Sequence, residues 1–187
     1  MVSRKHFFFM VFFFMFFSIG LLYEQSETVL KELDQAIAAS TSVGVFEGDQ
    51  AKNFQLQNQD GEVVSLDQFK GKTVIVNFFA TWCGPCQQEM PELVSLANHL
   101  NQDEVALLGV NMTKQERNQE DVSYFLEHFD VGFEVVLDTD GEVMNDYQII
   151  GIPTTVVIDE NGVIEKRFNG IVNQKILIEE TGIEIHD

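Results

Sequence analysis

The chain has 187 residues, 30 of them Asp or Glu against 11 Lys or Arg, for a formal net charge of −19. So acidic a surface repels phosphate backbones, which excludes nucleic-acid binding as the function. Two cysteines are too few for a disulfide framework or for a four-cysteine zinc site.

Arg4 and Lys5 precede an uncharged apolar run from Phe7 to Leu22. As a helix this run is about 24 Å long, close to the hydrocarbon thickness of a bilayer, with Tyr23 and the two cations at the interfaces. The cations sit on the N-terminal side, so the N-terminus stays in the cytoplasm and the rest crosses. The residues after the run, Leu21-Leu22-Tyr23-Glu24-Gln25, are too bulky for a cleavage site, which favours an uncleaved signal anchor over residues 1–23. The expected location is the cell membrane, single-pass, with the remaining chain on the extracytoplasmic side.

Residues 24–44 read as a juxtamembrane stalk and linker. Val29, Leu30, Leu33 and Ile37 recur at helical spacing, and Ser40 to Gly44 is small and polar. One folded domain is expected over 45–187. Phe54–Gln57 and Glu62–Leu66 flank Asp60-Gly61 as a hairpin. Thr73–Phe79 is a nearly continuous apolar run, the mark of a strand covered on both faces. A helix from Cys86 to about Leu100 follows, with Pro91 expected to kink it. Then come a strand at Val105–Val110, a helix at Glu120–Phe129, a strand at Glu134–Leu137 and a short helix at Glu142–Tyr147. Thr154–Ile158 and Val163–Phe168 form a second hairpin around Asn161-Gly162, and a short helix at Asn173–Glu180 closes the order. Alternating strands and helices ending in a hairpin predict an α/β fold, a central mixed sheet with helices on both faces.

Both cysteines lie in Trp82-Cys83-Gly84-Pro85-Cys86. Two thiols separated by two residues can cycle between dithiol and disulfide with little backbone movement. Gly-Pro is a tight turn that leads into a helix, since proline suits the first helical turn. The pair therefore falls at the carboxyl end of a central strand and the start of a helix. There the unpaired N–H groups and helix dipole favour a thiolate on Cys83. Cys86, within the first turn, is expected to be more buried and to resolve a mixed disulfide. No bound cofactor is expected beyond the redox-active pair, and no metal. His6, His99, His128 and His186 show no ligand spacing with the cysteines.

The stretch from Phe78 to Pro91 resembles the active-site signature of thioredoxin-fold proteins. The wider pattern is similar to the TlpA/ResA-like membrane-anchored thiol–disulfide oxidoreductases, within the redoxin/AhpC-TSA-like superfamily. The resemblance spans roughly residues 46–172 and includes Gly48-Asp49-Gln50-Ala51, Asp60-Gly61, Gly71-Lys72, Leu137-Asp138, Gly151-Ile152-Pro153-Thr154-Thr155 and Asp159-Glu160-Asn161-Gly162. It implies a thioredoxin-like fold with an N-terminal β-hairpin and an inserted helix at Glu120–Phe129, after one transmembrane helix. It implies a cis Pro153 facing the dithiol, with Ile152 supplying backbone that contacts substrate, and Trp82 beside them. Thioredoxins place an aspartate where Asn77 stands. This branch instead has a glutamate three residues after the second cysteine, matched by Glu89. Glu89 is then expected to exchange a proton with Cys86, its pKa raised near the dithiol. Phe79, Gln87, Gln88 and Lys52 depart from the family's usual residues.

The implied activity is reduction of client-protein disulfides outside the cytoplasm. Apocytochrome c in cytochrome c maturation is the typical client, and a CcdA-type membrane thiol transporter the electron donor. Related branches serve spore-cortex or other envelope proteins. Two further alternatives turn on the residues themselves. A peroxiredoxin-type peroxidase needs Pro-x-x-x-Thr-x-x-Cys, which is absent. A Cu(I) metallochaperone could use the same dithiol, since two thiolates suit Cu(I).

Overall fold

The computed structural model describes residues 15–16 and 42–183. Met15 and Phe16 are helical. The rest of the expected 1–23 anchor and the stalk up to residue 41 lie outside the described residues. Among the described residues no helix is long and apolar enough to cross a membrane. The chain divides into two compact units, Met1–Thr41 and Ser42–Asp187, and the second carries the sheet.

The second unit opens with a feature that composition conceals. Strand β1 (Val43–Gly44) pairs in parallel with β2 (Gln50–Ala51). A small, polar, glycine-containing stretch of this kind reads as linker, yet Asp49 ties it into a closed loop. Its carboxylate accepts from Ser42 Oγ at 2.6 Å and from Phe46 N at 3.0 Å. Gly48 takes the left-handed φ of 90° that the tight loop needs.

β3 (Gln55–Asn58) and β4 (Val63–Ser65) form the first hairpin. Phe54 lies just outside the strand, with its ring buried in the core. The turn is organised by Asn58, whose side-chain oxygen accepts from Asp60 N and Glu62 N. Ser65 and Gln68 then make a capping box for a 3-10 turn at Leu66–Phe69.

The central elements follow in chain order: β5 (Thr73–Phe79), α1 (Gly84–His99), β6 (Val105–Asn111), α2 (Glu120–His128) and β7 (Glu134–Leu137). α3 (Glu142–Asp146), β8 (Thr154–Ile158), β9 (Ile164–Asn169) and α4 (Gln174–Thr181) complete the unit. The seven-stranded sheet has the order β4-β3-β7-β6-β5-β8-β9. β5, β6 and β7 are parallel, while β3, β8 and β9 run antiparallel to their neighbours. The expected mixed sheet, with its hairpin and its helix inserted between β6 and β7, is the observed one. Pro91 lies inside α1, which continues through it to His99.

β5 alternates between two cores, as the period of two requires. Val74, Val76 and Phe78 face a cluster that includes Val143 and Tyr147 of the α3 region. Ile75 meets Leu93 and Leu96 of α1 and Leu177 of α4, and Phe79 packs with Met90 of α1 and Phe125 of α2. Helices therefore cover both faces of the sheet. Burial of each such aliphatic or aromatic side chain stabilises by about 1.5–3 kcal/mol. Asn77 is the buried polar residue of β5, on the face that carries α1.

Candidate active site

β5 ends at Phe79, and the chain turns through Ala80 and Thr81 into Cys83, the N-cap of α1. Cys83 is extended, φ −80° and ψ 108°, so its side chain can fold back over the first helical turn. Its sulfur accepts from Cys86 N at 3.2 Å. Pro85 occupies the first turn, where a missing N–H costs nothing. Cys83 and Cys86 are joined as a disulfide, and the chain has no other cysteine. Cys83 keeps 5 % exposure against 1 % for Cys86, so the first cysteine is the more exposed of the two.

The Ile152–Pro153 peptide bond is cis. It directs the Ile152 carbonyl oxygen to within 3.6 Å of Cys83 Sγ. The β9–α4 connection borders the same bond, since Gly170 N donates to Pro153 O at 2.8 Å. Trp82 is half-exposed beside Cys83, and its ring N–H donates to Gln115 O at 3.0 Å. The structure thus brings Trp82, Cys83, Cys86, Ile152 and Pro153 together at one edge of the sheet.

Glu89, one turn beyond Cys86, is 1 % exposed. Burial pushes its pKa up to about 7, against two hydrogen bonds that favour the ionised form. Val172 N donates to Oε2 at 2.9 Å, and Asn77 Nδ2 donates to Oε1 at 2.6 Å. Asn77 also donates to Thr155 Oγ1 at 3.0 Å. Glu89 is therefore a buried acid held between α1, β5 and the β9–α4 connection, with Thr155 of β8 behind Asn77. A residue read only as a missing aspartate is in fact Glu89's partner. The signal was present: a lone amide inside the apolar run Thr73–Phe79 needs a buried hydrogen-bond partner.

Sequence reasoning missed a second group. Glu116 accepts from Thr81 N at 2.7 Å, Thr81 Oγ1 at 2.6 Å and Asn111 Nδ2 at 2.8 Å. Gln87 Nε2 donates to Thr81 O at 2.8 Å, so every polar group of Thr81 is engaged. The turn that presents Cys83 is clamped to the segment after β6. No local pattern links residues this far apart. Asn111-Met112-Thr113 matches a glycosylation sequon, but Asn111 is buried, and its side chain bonds Glu116 and Thr113. Among the described residues no group of three or more His, Cys, Asp or Glu side chains could hold a metal ion.

A parallel-cored mixed sheet, a Cys-x-x-Cys disulfide capping a helix and a cis-proline against the first sulfur together define a class, the thioredoxin-like thiol–disulfide oxidoreductases. Known proteins agree. Thioredoxin-like protein YneN of Bacillus subtilis is 40% identical over 133 residues, 71% of this chain and 77% of that protein. Thiol-disulfide oxidoreductase ResA of the same organism is 33% identical over 133 residues, covering 71% and 73%. The crystal structure of StoA from Bacillus subtilis superimposes with a TM-score of 0.63 at 36% identity, covering 70% of this chain and 96% of that one. The chain belongs to the AhpC/TSA family, whose sequence model matches residues 47–167.

Proposed function

We propose that this thiol–disulfide oxidoreductase is anchored in the cell membrane by residues 1–23 and reduces disulfides of client proteins on the extracytoplasmic side. The observation that carries the chemistry is Cys83 Sγ at the N-terminus of α1, facing the cis Ile152–Pro153 bond. In the reduced chain, the Cys83 thiolate attacks one sulfur of a client disulfide. That bond breaks, a Cys83–client bond forms, and the departing client thiolate takes a proton. Cys86, deprotonated with Glu89 as acceptor, then attacks Cys83 Sγ. The second client sulfur leaves as a thiolate and takes the proton that Glu89 received from Cys86, and the Cys83–Cys86 disulfide forms. The client gains two electrons and two protons: the chain supplies both electrons and the Cys86 proton, and solvent supplies the proton taken by the first departing thiolate. Ile152 and Pro153 supply backbone against the client, and Trp82 flanks it.

Support for reduction over oxidation comes from the Gly-Pro dipeptide and the likeness to the TlpA/ResA branch. Apocytochrome c is the proposed client class, and a CcdA-type membrane thiol transporter the proposed electron source. Equilibration of the full-length protein with glutathione or dithiothreitol buffers tests the direction. A potential near or below about −250 mV is expected. A value near about −120 mV makes the chain an oxidant and overturns the reductive reading. For Glu89, the Glu89→Gln variant is expected to lose a step near pH 7 in the rate of Cys86 alkylation. An unchanged profile removes Glu89 from proton exchange.

A further inference from the structure

Arg167 stands on β9 in a chain with a net charge of −19, yet none of the described ion pairs includes it. Partial burial disfavours its charge and draws its pKa below the ordinary arginine value. The guanidinium is spent on backbone. Nη1 donates to Val45 O and Nη2 to Gln148 O, each at 3.3 Å. The Arg167 backbone N–H donates to Glu47 Oε1 at 3.2 Å. Val45 and Glu47 belong to the loop between β1 and β2. Gly48 N to Ile164 O and Ile164 N to Asp49 O, both at 2.8 Å, fix that loop to the start of β9. Val45 is itself buried, so one end of the arginine fork is set in rigid structure.

At the other end is Gln148, through which the chain leaves α3. Its φ is 49°, in the left-handed region. Ile149 N donates to Met144 O at 2.9 Å and Gln148 N to Asn145 O at 3.0 Å, the pattern of a helix stop at which glycine is the usual residue. A longer side chain is strained there and needs its surroundings to hold it. Four residues further on is Ile152, whose carbonyl oxygen lies 3.6 Å from Cys83 Sγ. Between the two, Thr154 Oγ1 donates to Gly151 O at 2.7 Å. The course of this segment is therefore set at Gln148 and kept at Gly151.

We propose that Arg167 is a positioning residue for client capture: by holding Gln148 in its left-handed turn, it aims the Ile152–Pro153 backbone at the client segment that joins Cys83. The inference rests on the reductase reading above. Arginine suits the task because its planar fork reaches two carbonyls at once, which a lysine ammonium on one flexible stem does not. Without those donors Gln148 samples the commoner right-handed region, and each excursion swings the Ile152 carbonyl away from Cys83. The fraction of chains ready to receive a client falls, and apparent affinity falls with it. Neither sulfur is bonded to Arg167, so the exchange step itself keeps its rate once a client is bound.

The test uses pre-reduced full-length protein in a neutral detergent, in single turnover with a disulfide-linked peptide. Arg167→Met keeps an unbranched stem and removes the donors. It is expected to raise the half-saturating peptide concentration about fivefold, by the population argument above, with little change in limiting rate. Arg167→Lys is expected to show a smaller rise. Gln148→Gly added to Arg167→Met separates the causes, since glycine takes a φ of 49° unaided. The double variant returns to the parent's half-saturation if Arg167 acts through Gln148. Equal half-saturation in the parent and Arg167→Met overturns the proposal, as does a double variant no better than Arg167→Met, or a loss confined to the limiting rate. Arg167→Lys with and without Gln148→Gly gives the same comparison if Arg167→Met fails to fold. Failure of the parent to reduce hydroxyethyl disulfide is a different result: it brings down the reductase reading itself, and this inference with it.

Discussion

Glu89 shows how a single buried acid makes stability depend on pH. In the unfolded chain it titrates at 4.5, and in the folded chain at about 7 because burial disfavours its charge. The folded state therefore holds the proton more tightly between those values. Its contribution is fully present below 4.5 and is lost as pH rises to about 7. Glu89→Gln abolishes this slope. Denaturant titrations of parent and variant across that window should converge toward acid and separate by on the order of 3 kcal/mol above it. Asn77 acts in the opposite direction, since its hydrogen bond favours the ionised carboxylate. Asn77→Ala leaves that oxygen without its donor at 2.6 Å, and the Glu89 titration followed by NMR moves upward from about 7. A downward move would show that the amide does not stabilise the charge.

At the scale of elements, the turn between β5 and α1 depends on a segment outside both. Removing the carboxylate in Glu116→Ala strands Thr81 N and the amide of the buried Asn111 together. The expected cost is about 1–3 kcal/mol, read as a lower denaturant midpoint with an unchanged slope. Restoration of the midpoint by Glu116→Gln would identify hydrogen bonding, not charge, as the contribution. The order of strands and helices from Phe54 to Glu180 was legible because each has a strong period and a clear stop. Thr73–Phe79 is apolar almost throughout, and Asp60-Gly61 and Asn161-Gly162 mark the hairpins. Cys83, Cys86 and the cis Pro153 were equally legible, through motif and resemblance. What escaped was built from side chains acting across the fold. Asp49 turned an apparent linker into β1 and β2, Asn58 set the first hairpin, and Glu116 reached back to Thr81. Such bonds leave no periodic trace in the chain.

For the molecule as a whole, the dominant electrostatic fact is its net charge of −19. The described ion pairs, Lys52–Asp146, Lys70–Asp67, Lys166–Glu180 and Lys175–Glu179, are on the surface. Each contributes at most about 1 kcal/mol, so salt has little there to weaken. Self-repulsion among the excess carboxylates outweighs these pairs, and salt screens it over a Debye length of about 10 Å at 0.1 M. Thermal stability should therefore rise as sodium chloride increases from a few millimolar to physiological strength, by scanning calorimetry. A falling midpoint would mean that the ion pairs outweigh the repulsion.

The chain's single tryptophan, Trp82, adjoins Cys83 and is tethered through its ring N–H to Gln115 O. A disulfide next to an excited indole accepts an electron and quenches its emission, whereas a dithiol quenches far less. Ultraviolet fluorescence therefore reads the oxidation state of this one site with no background from another indole. The protein carries its own optical electrode, and every exchange with a client is visible in stopped flow without a label.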